Sequence, residues 1–183
     1  MRVQKTQLSG VLVVQPDVFQ DARGFFLESW QRDRFNQVIG RNIEFVQDNH
    51  SRSRRGVLRG LHWQCDPMQQ AKLIAVMQGE IFDVAVDVRG GSPTYGQWVG
   101  EVLTGESRRS LWIPEGFAHG FLVLSETADV VYKATNFYSP RHERSVRWDD
   151  LMLGIAWPDP GVPLIISDKD RSAVLLADLP DED

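Results

Sequence analysis

Apolar residues recur at every second position through much of this chain, and that period restricts it to extended structure. In Ile81–Val88, Phe82, Val84, Val86 and Val88 share one face, while Asp83, Ala85 and Asp87 share the other. Successive side chains of a strand point to opposite sides of a sheet, so this alternation fits a strand and not a helix. Similar short segments are Leu8–Gln15, Phe25–Trp30, Ile43–Gln47, Val57–Gln64, Leu73–Met77, Trp98–Leu103, Ser110–Ile113, Gly120–Leu124 and Val130–Ala134. Turn residues separate them at Gln78-Gly79, Gly90-Gly91-Ser92-Pro93, Thr104-Gly105, Pro114-Glu115-Gly116 and Ser139-Pro140. About ten short strands so spaced predict a sandwich or a barrel-like roll. Helix is expected at Gln31–Ile39, ended by Gly40, and in a short stretch near Lys169–Leu176. Trp157–Asp183 carries prolines at 158, 160, 163 and 180 and is expected to run irregularly over the surface.

With 183 residues and no linker long enough to divide it, the chain is expected to form one domain, 1–183, with an acidic tail from about 178 to 183. Folding at this size hides roughly 70 % of the extended chain's surface, enough for a core without staples. No apolar run is long enough to cross a membrane. Met1–Gly10 lacks the apolar core of a secretory leader. Cys65 is the only cysteine, which excludes an internal disulfide and fits a reducing cytosol, so a cytoplasmic location is expected. The net charge is −5, but four acids (Asp178, Asp181, Glu182, Asp183) lie in the last six residues. The remainder is nearly balanced, so a nucleic-acid coat is not expected. Arg52, Arg54, Arg55 and Arg59 cluster within eight positions. Such a cluster is either a solvated edge or a small anion site for a phosphate or diphosphate.

Four histidines are present: His50, His62, His119 and His142. His62 lies in a strand-like segment, where a packing role and a role as base are both open. Lys72 and Tyr132 also interrupt apolar segments, and Asp83 and Asp87 line one strand's polar face. Polar groups pointing into a small barrel make a wet, ligand-sized cavity rather than a dry core. The stretch Pro114-Glu115-Gly116-Phe117-Ala118-His119 has the form P-x-G-x-x-H and resembles the second motif of the cupins, a jelly-roll superfamily. The counterpart of their first motif is His62-Trp63-Gln64, with glutamine where a second metal-binding histidine stands in cupins. A metal site needs three or more protein ligands. His62 and His119 alone do not suffice, so no metal is expected. There is no G-x-S-x-G elbow, dinucleotide fingerprint or P-loop, and nothing marks Cys65 as a nucleophile.

Four long stretches together resemble the dTDP-4-dehydrorhamnose 3,5-epimerases closely. They run from Phe45 to Ser53 and on through Gly56–His62; from Gln78 to Arg89 with Ser92–Gly96; from Leu111 to Phe121; and from Tyr132 to Tyr138. Weaker support comes from Trp148–Asp150, Gly154–Pro158 and Ser167–Asp170. The resemblance implies a mostly β, cupin-type jelly-roll barrel with one or two short helices, a homodimer, and no cofactor. It implies a thymidine-diphospho sugar substrate with a ketone at C4, whose protons at C3 and C5 are removed and returned on the opposite face. By similarity His62 is the base, Asp170 its partner, Lys72 the group near the C4 enolate oxygen, and Tyr132 the acid on the far face. Tyr138 resembles the residue that stacks on thymine. Arg23, Glu28, Gln47, Asn49, Arg59, His119, Glu143 and Lys169 match positions that hold the nucleotide, diphosphate or sugar.

Elementary chemistry agrees with these roles. Epimerisation beside a ketone needs a base near neutral pKa, for which histidine is suited. A buried carboxylate fixes its tautomer, a preorganised lysine stabilises the charge on the C4 oxygen, and arginine forks suit a diphosphate. Two features resist the pattern. Arg59 and His62 are three apart and would point to opposite faces of a regular strand, unless Gly60 marks a bulge or one of them serves another pocket, as across a dimer. At Gln70-Ala71-Lys72 the chain has alanine where the family generally has glycine. Rival readings are an epimerase acting at C3 or C5 alone, a ketoisomerase of another deoxysugar pathway, and a non-catalytic sugar-nucleotide binder.

Overall fold

The structure is a computed structural model in which residues 1–179 are described. Residues 180–183 of the expected acidic tail lie outside that range, and Asp178 ends a short 3-10 turn at Leu176–Asp178. In chain order the strands are β1 (Arg2–Lys5), β2 (Leu12–Gln15), β3 (Val18–Asp21), β4 (Gly24–Leu27), β5 (Gln47–Arg54), β6 (Leu58–Gln64) and β7 (Lys72–Gln78). They continue with β8 (Glu80–Asp87), β9 (Trp98–Thr104), β10 (Ser110–Ile113), β11 (Phe117–Val123), β12 (Thr127–Ala134) and β13 (Glu143–Ser145). Helix α1 spans Arg32–Ile39 and α2 spans Asp168–Arg171. No helix among the described residues is long and apolar enough to cross a membrane.

Two antiparallel sheets face each other in a jelly-roll sandwich. One has the order β1-β2-β10-β7-β12-β5, the other β13-β6-β11-β8-β9. The alternation read from the sequence explains the core. Val13, Ile74, Val76 and Val130 point inward from the first sheet, and Ile81, Ala85, Phe121 and Leu103 from the second. Each outer face needs its own cover. Helix α1 lays Phe35 and Ile39 against Trp112 and Leu73 on the first sheet. The C-terminal segment lays Leu153, Ile155, Trp157 and Leu176 against Leu61, Val84 and Val86 on the second. Local chemistry sets the ends of α1: the Gln31 side chain accepts from the Arg34 amide, and Gly40 closes the helix at φ +73°.

The structure departs from the sequence expectation at the polar strands. Ile43–Val46 is not a strand, and β5 begins at Gln47, where the expected strand ends. Gln47–Arg54 contains no apolar residue, so it gave no hydrophobic signal; pairing with β12 along its whole length makes it a strand. Strands β1 and β3 also gave no clear alternation, because they are short and largely exposed, and β13 is three polar residues long. Strand β2 starts only at Leu12, after a turn, and β4 stops at Leu27. The helix near Lys169–Leu176 is shorter and earlier, at Asp168–Arg171, capped by the Ser167 side chain.

Candidate active site

Strand β6 carries the feature on which the site depends. His62 pairs with His119, but Arg59 pairs with Phe121, so three steps along β6 match two along β11. This is the bulge anticipated at Gly60. The extra residue turns Arg59 back to the side of His62, and both line one cavity. Gly60 sits at φ +124°. A Cβ there would lie 2.5 Å from the Gly120 Cα and 2.8 Å from the His119 carbonyl oxygen, so only glycine allows the two backbones this approach.

The cavity, of about 560 Å³, opens between the sheets. Arg59, His62 and His119 come from the five-stranded sheet, Lys72 and Tyr132 from the six-stranded sheet, and Lys169 and Asp170 from α2. His62 and Tyr132 therefore stand on opposite walls. His62 Nε2 lies 2.6 Å from Asp170 Oδ1. Asp170 is buried. Burial pushes its carboxyl up, but hydrogen bonds from His62, Ser167 and the Gly60 amide, with the His62 charge, hold it below the usual range. That Gly60 contact ties α2 to the bulge.

Lys72 donates to the His62 carbonyl oxygen at 3.3 Å. Desolvation lowers its pKa to about 8, against the opposing charges of Glu143 and Asp83. Its ammonium is thus charged at neutral pH and starts to lose its proton in mildly alkaline solution. Burial, reinforced by Glu143 and opposed by Arg59, raises the Tyr132 phenol above its ordinary value, so it remains a proton donor. Beyond the wall runs a chain of hydrogen bonds. Gln47 donates to Asn49, and the Tyr138 amide donates to Gln47 at 2.9 Å. Tyr138 Oη and Lys169 Nζ both reach Glu143, at 2.9 and 2.6 Å. His119 Nε2 lies 2.6 Å from the buried Asp83.

Most of the expected site residues thus converge, two expectations change, and one open choice is decided. Arg23 and Glu28 lie apart from the cavity of their own chain. Arg23 sits at the tip of the β3–β4 hairpin, paired with Asp21, and Glu28 pairs with Arg34 at 3.0 Å. The arginine cluster is not one anion site. Arg52 points to the outer face, where it grips Asp129 at 2.8 Å, Arg54 and Arg55 are exposed, and only Arg59 faces the cavity. Asp87 does not line the cavity, because Arg89, Ser92 and Thr94 enclose its carboxylate at the β8–β9 turn. Gln64 holds the backbone of Met68, Phe137 and Ser139 with its amide. Among the described residues no group of three or more His, Cys, Asp or Glu side chains is placed to hold a metal. Asp83, read from the sequence only as part of a polar face, had no assigned role. Its one signal was a carboxylate opposite apolar neighbours in a buried strand.

Comparison with known proteins places this geometry. The family profile of dTDP-4-dehydrorhamnose 3,5-epimerase matches residues 5–178. A protein of that name from Shigella flexneri is 55 % identical over 93 % of both chains. One from Salmonella typhimurium is 54 % identical over 96 % of both. Among solved structures, the dTDP-6-deoxy-D-glucose-3,5-epimerase of Legionella pneumophila, in complex with dTDP-4-keto-L-rhamnose, has a TM-score of 0.94 and 49 % identity. That alignment covers 98 % of this chain and 94 % of the other.

Proposed function

The chain belongs to the dTDP-4-dehydrorhamnose 3,5-epimerase family, and from that premise we propose that it converts dTDP-4-dehydro-6-deoxy-D-glucose to dTDP-4-dehydro-L-rhamnose by inverting C3 and C5. One observation carries the mechanism: a His–Asp pair and a tyrosine face each other across one cavity, with a desolvated lysine on its wall. Asp170 accepts the His62 Nε2 proton, which leaves Nδ1 as the base. That nitrogen removes the proton from C3 or C5. The electron pair moves onto the C4 oxygen, where the Lys72 ammonium stabilises the enolate. Tyr132 returns a proton from the opposite wall, and the carbon is inverted. Each inversion leaves His62 with one proton more and Tyr132 with one fewer, so exchange with solvent resets the pair before the second carbon reacts. The exposed Arg59 fork meets the diphosphate. No cofactor enters this scheme.

The active unit in this reading is a homodimer. Among the described residues the β3–β4 hairpin forms a two-stranded sheet of its own. It exposes Phe19, Phe25 and Phe26 at 64, 57 and 70 %, an apolar surface suited to a second copy. Such docking would bring Arg23 and Glu28 of one copy to the other's cavity. A cytoplasmic setting belongs to the same proposal and fits the single cysteine.

Incubation with dTDP-4-dehydro-6-deoxy-D-glucose in D₂O, followed by NMR, tests the reading. Deuterium is expected at both C3 and C5, and His62→Asn should abolish both, a loss of about 10²–10⁴-fold or more for a general base. Label at one carbon would indicate a mono-epimerase, and at neither a binder. Mixing inactive Arg23→Ala with inactive His62→Asn protein should restore some activity if sites are shared between subunits; no recovery would count against the sharing.

A further inference from the structure

The scheme above leaves one buried carboxylate without a role. Asp83 is on β8 and has no exposed surface. Its Oδ1 meets His119 Nε2 at 2.6 Å, while its Oδ2 is buried with no hydrogen-bond partner among the described residues. An unsatisfied charged oxygen in a core is costly, and its presence in a folded protein requires an explanation. Its register neighbours do not supply one: they are Phe121 on β11 and Glu101 on β9. Glu101 carries the same charge and lies 3.9 Å from Arg109. The cation that responds to Asp83 is Lys72, across the core on β7.

We propose that Asp83 is a positioning residue for this reaction: it fixes His119 through Nε2, and its buried charge acts across the core on the Lys72 ammonium. The proposal rests on the assignment of Lys72 to the C4 oxygen. Among the described residues Asp83 makes no hydrogen bond to Lys72. A carboxylate bonded directly to Lys72 would occupy donor protons needed by the enolate. A charge behind the wall favours the ammonium and leaves its donors free, apart from the bond to the His62 carbonyl. Glu143 is the second anion acting on Lys72, from β13. His62, His119, Tyr132, Arg59, Lys169 and Asp170 are the other titratable and charged groups on the cavity wall. With Nε2 engaged, His119 is left to meet the cavity through Nδ1 and hold a substrate hydroxyl.

Asp83→Asn keeps the shape and an acceptor for His119 but removes the charge. The pH profile of kcat/KM in the native-like variant is the readout, beside affinity for thymidine diphosphate. In the wild-type protein the rate should fall above about pH 8, where Lys72 loses its proton. In Asp83→Asn this limb should move down by about one pH unit. The loss should be about fivefold at pH 8, approach tenfold at higher pH and nearly vanish at pH 6, with nucleotide affinity within about twofold of wild type. A uniform loss at every pH, or an unmoved limb, overturns the proposal. His119→Asn supplies a second test should the first variant fail to fold. It retains the Asp83 charge, so its rate should drop while the limb stays at or above its wild-type position. A downward move there overturns the role given to Asp83. Wild-type protein that exchanges no deuterium refutes the epimerase reading itself, an outcome distinct from an active enzyme whose limb ignores Asp83.

Discussion

Replacing Gly60 by alanine should unseat the base without touching it. A Cβ at this position would come within 2.5 Å of the Gly120 Cα and 2.8 Å of the His119 oxygen. Carbon atoms pack best at about 3.5–4.0 Å, so the overlap is about 1 Å, and both obstacles are backbone. Overpacking of this kind costs about 1–3 kcal/mol. The φ of +124° adds the strain of a region that L side chains rarely enter, about 1–3 kcal/mol more. The sum, about 2–6 kcal/mol, is a large share of the about 5–15 kcal/mol that stabilises an ordinary domain. Relief requires β6 to move from β11, which carries Arg59 and His62 with it. A displacement near 1 Å commonly costs about 10²-fold in rate. Urea unfolding followed by tryptophan fluorescence gives the first quantity, and deuterium uptake at C3 and C5 gives the second. Gly40→Ala is the control: φ there is also positive, at +73°, but no atom lies within 4 Å of the new carbon. It should cost about 1–2 kcal/mol and leave turnover unchanged. A Gly60→Ala protein with wild-type stability and exchange would refute the steric argument. One that is unstable yet fully active would refute the claim that the bulge places the base.

Tyr132→Phe removes the donor on the far wall and leaves the ring. Deuterium should still enter at C3 and C5, with little inverted product, because the proton returns from the histidine's own side; equal loss of exchange and inversion would assign Tyr132 a supporting role instead. Arg59→Ala should weaken thymidine diphosphate by about 1.5–3 kcal/mol, the value of hydrogen bonds to a charged group, by calorimetry; a change in turnover alone would place Arg59 elsewhere. Glu143→Gln removes an anion that favours the Lys72 ammonium. The Lys72 pKa should therefore fall below about 8 and the alkaline limb of kcat/KM move to lower pH; a limb that stays or rises would show that Glu143 does not act on Lys72. Activity should survive prolonged treatment with strong chelators, and its loss, restored by a stoichiometric metal, would sink the cofactor-free scheme.

Much of this architecture was readable because strands buried on one face carry their own pattern. Ser110–Ile113 was placed to the residue, and α1 to within one, since Gln31 and Gly40 mark its ends by local chemistry. Strand β5 was missed because all eight of its residues are polar, Ser51 lining the cavity among them, and leave no apolar alternation. The arginine cluster left two readings open for a related reason: alternation along β5 and the bulge in β6 send neighbouring arginines to different surfaces.

The sequence by itself determined the strand-rich class, the alternation of the buried strands and, through long ordered stretches, most of the residues gathered at the cavity. Those are properties of period, turn chemistry and residue type, and each is written locally. Tertiary structure decided what those residues face. Asp170 reaches His62 across 108 positions because the C-terminal segment wraps the second sheet and α2 comes to rest against β6. Arg59 and His62 share a cavity because two glycines let β6 and β11 approach closely enough for a bulge. Asp83 meets His119 because β8 and β11 pair in one register and not another. Such juxtapositions depend on pairing between distant strands, where a slip of one residue reverses every side chain, and no local pattern records which register prevails.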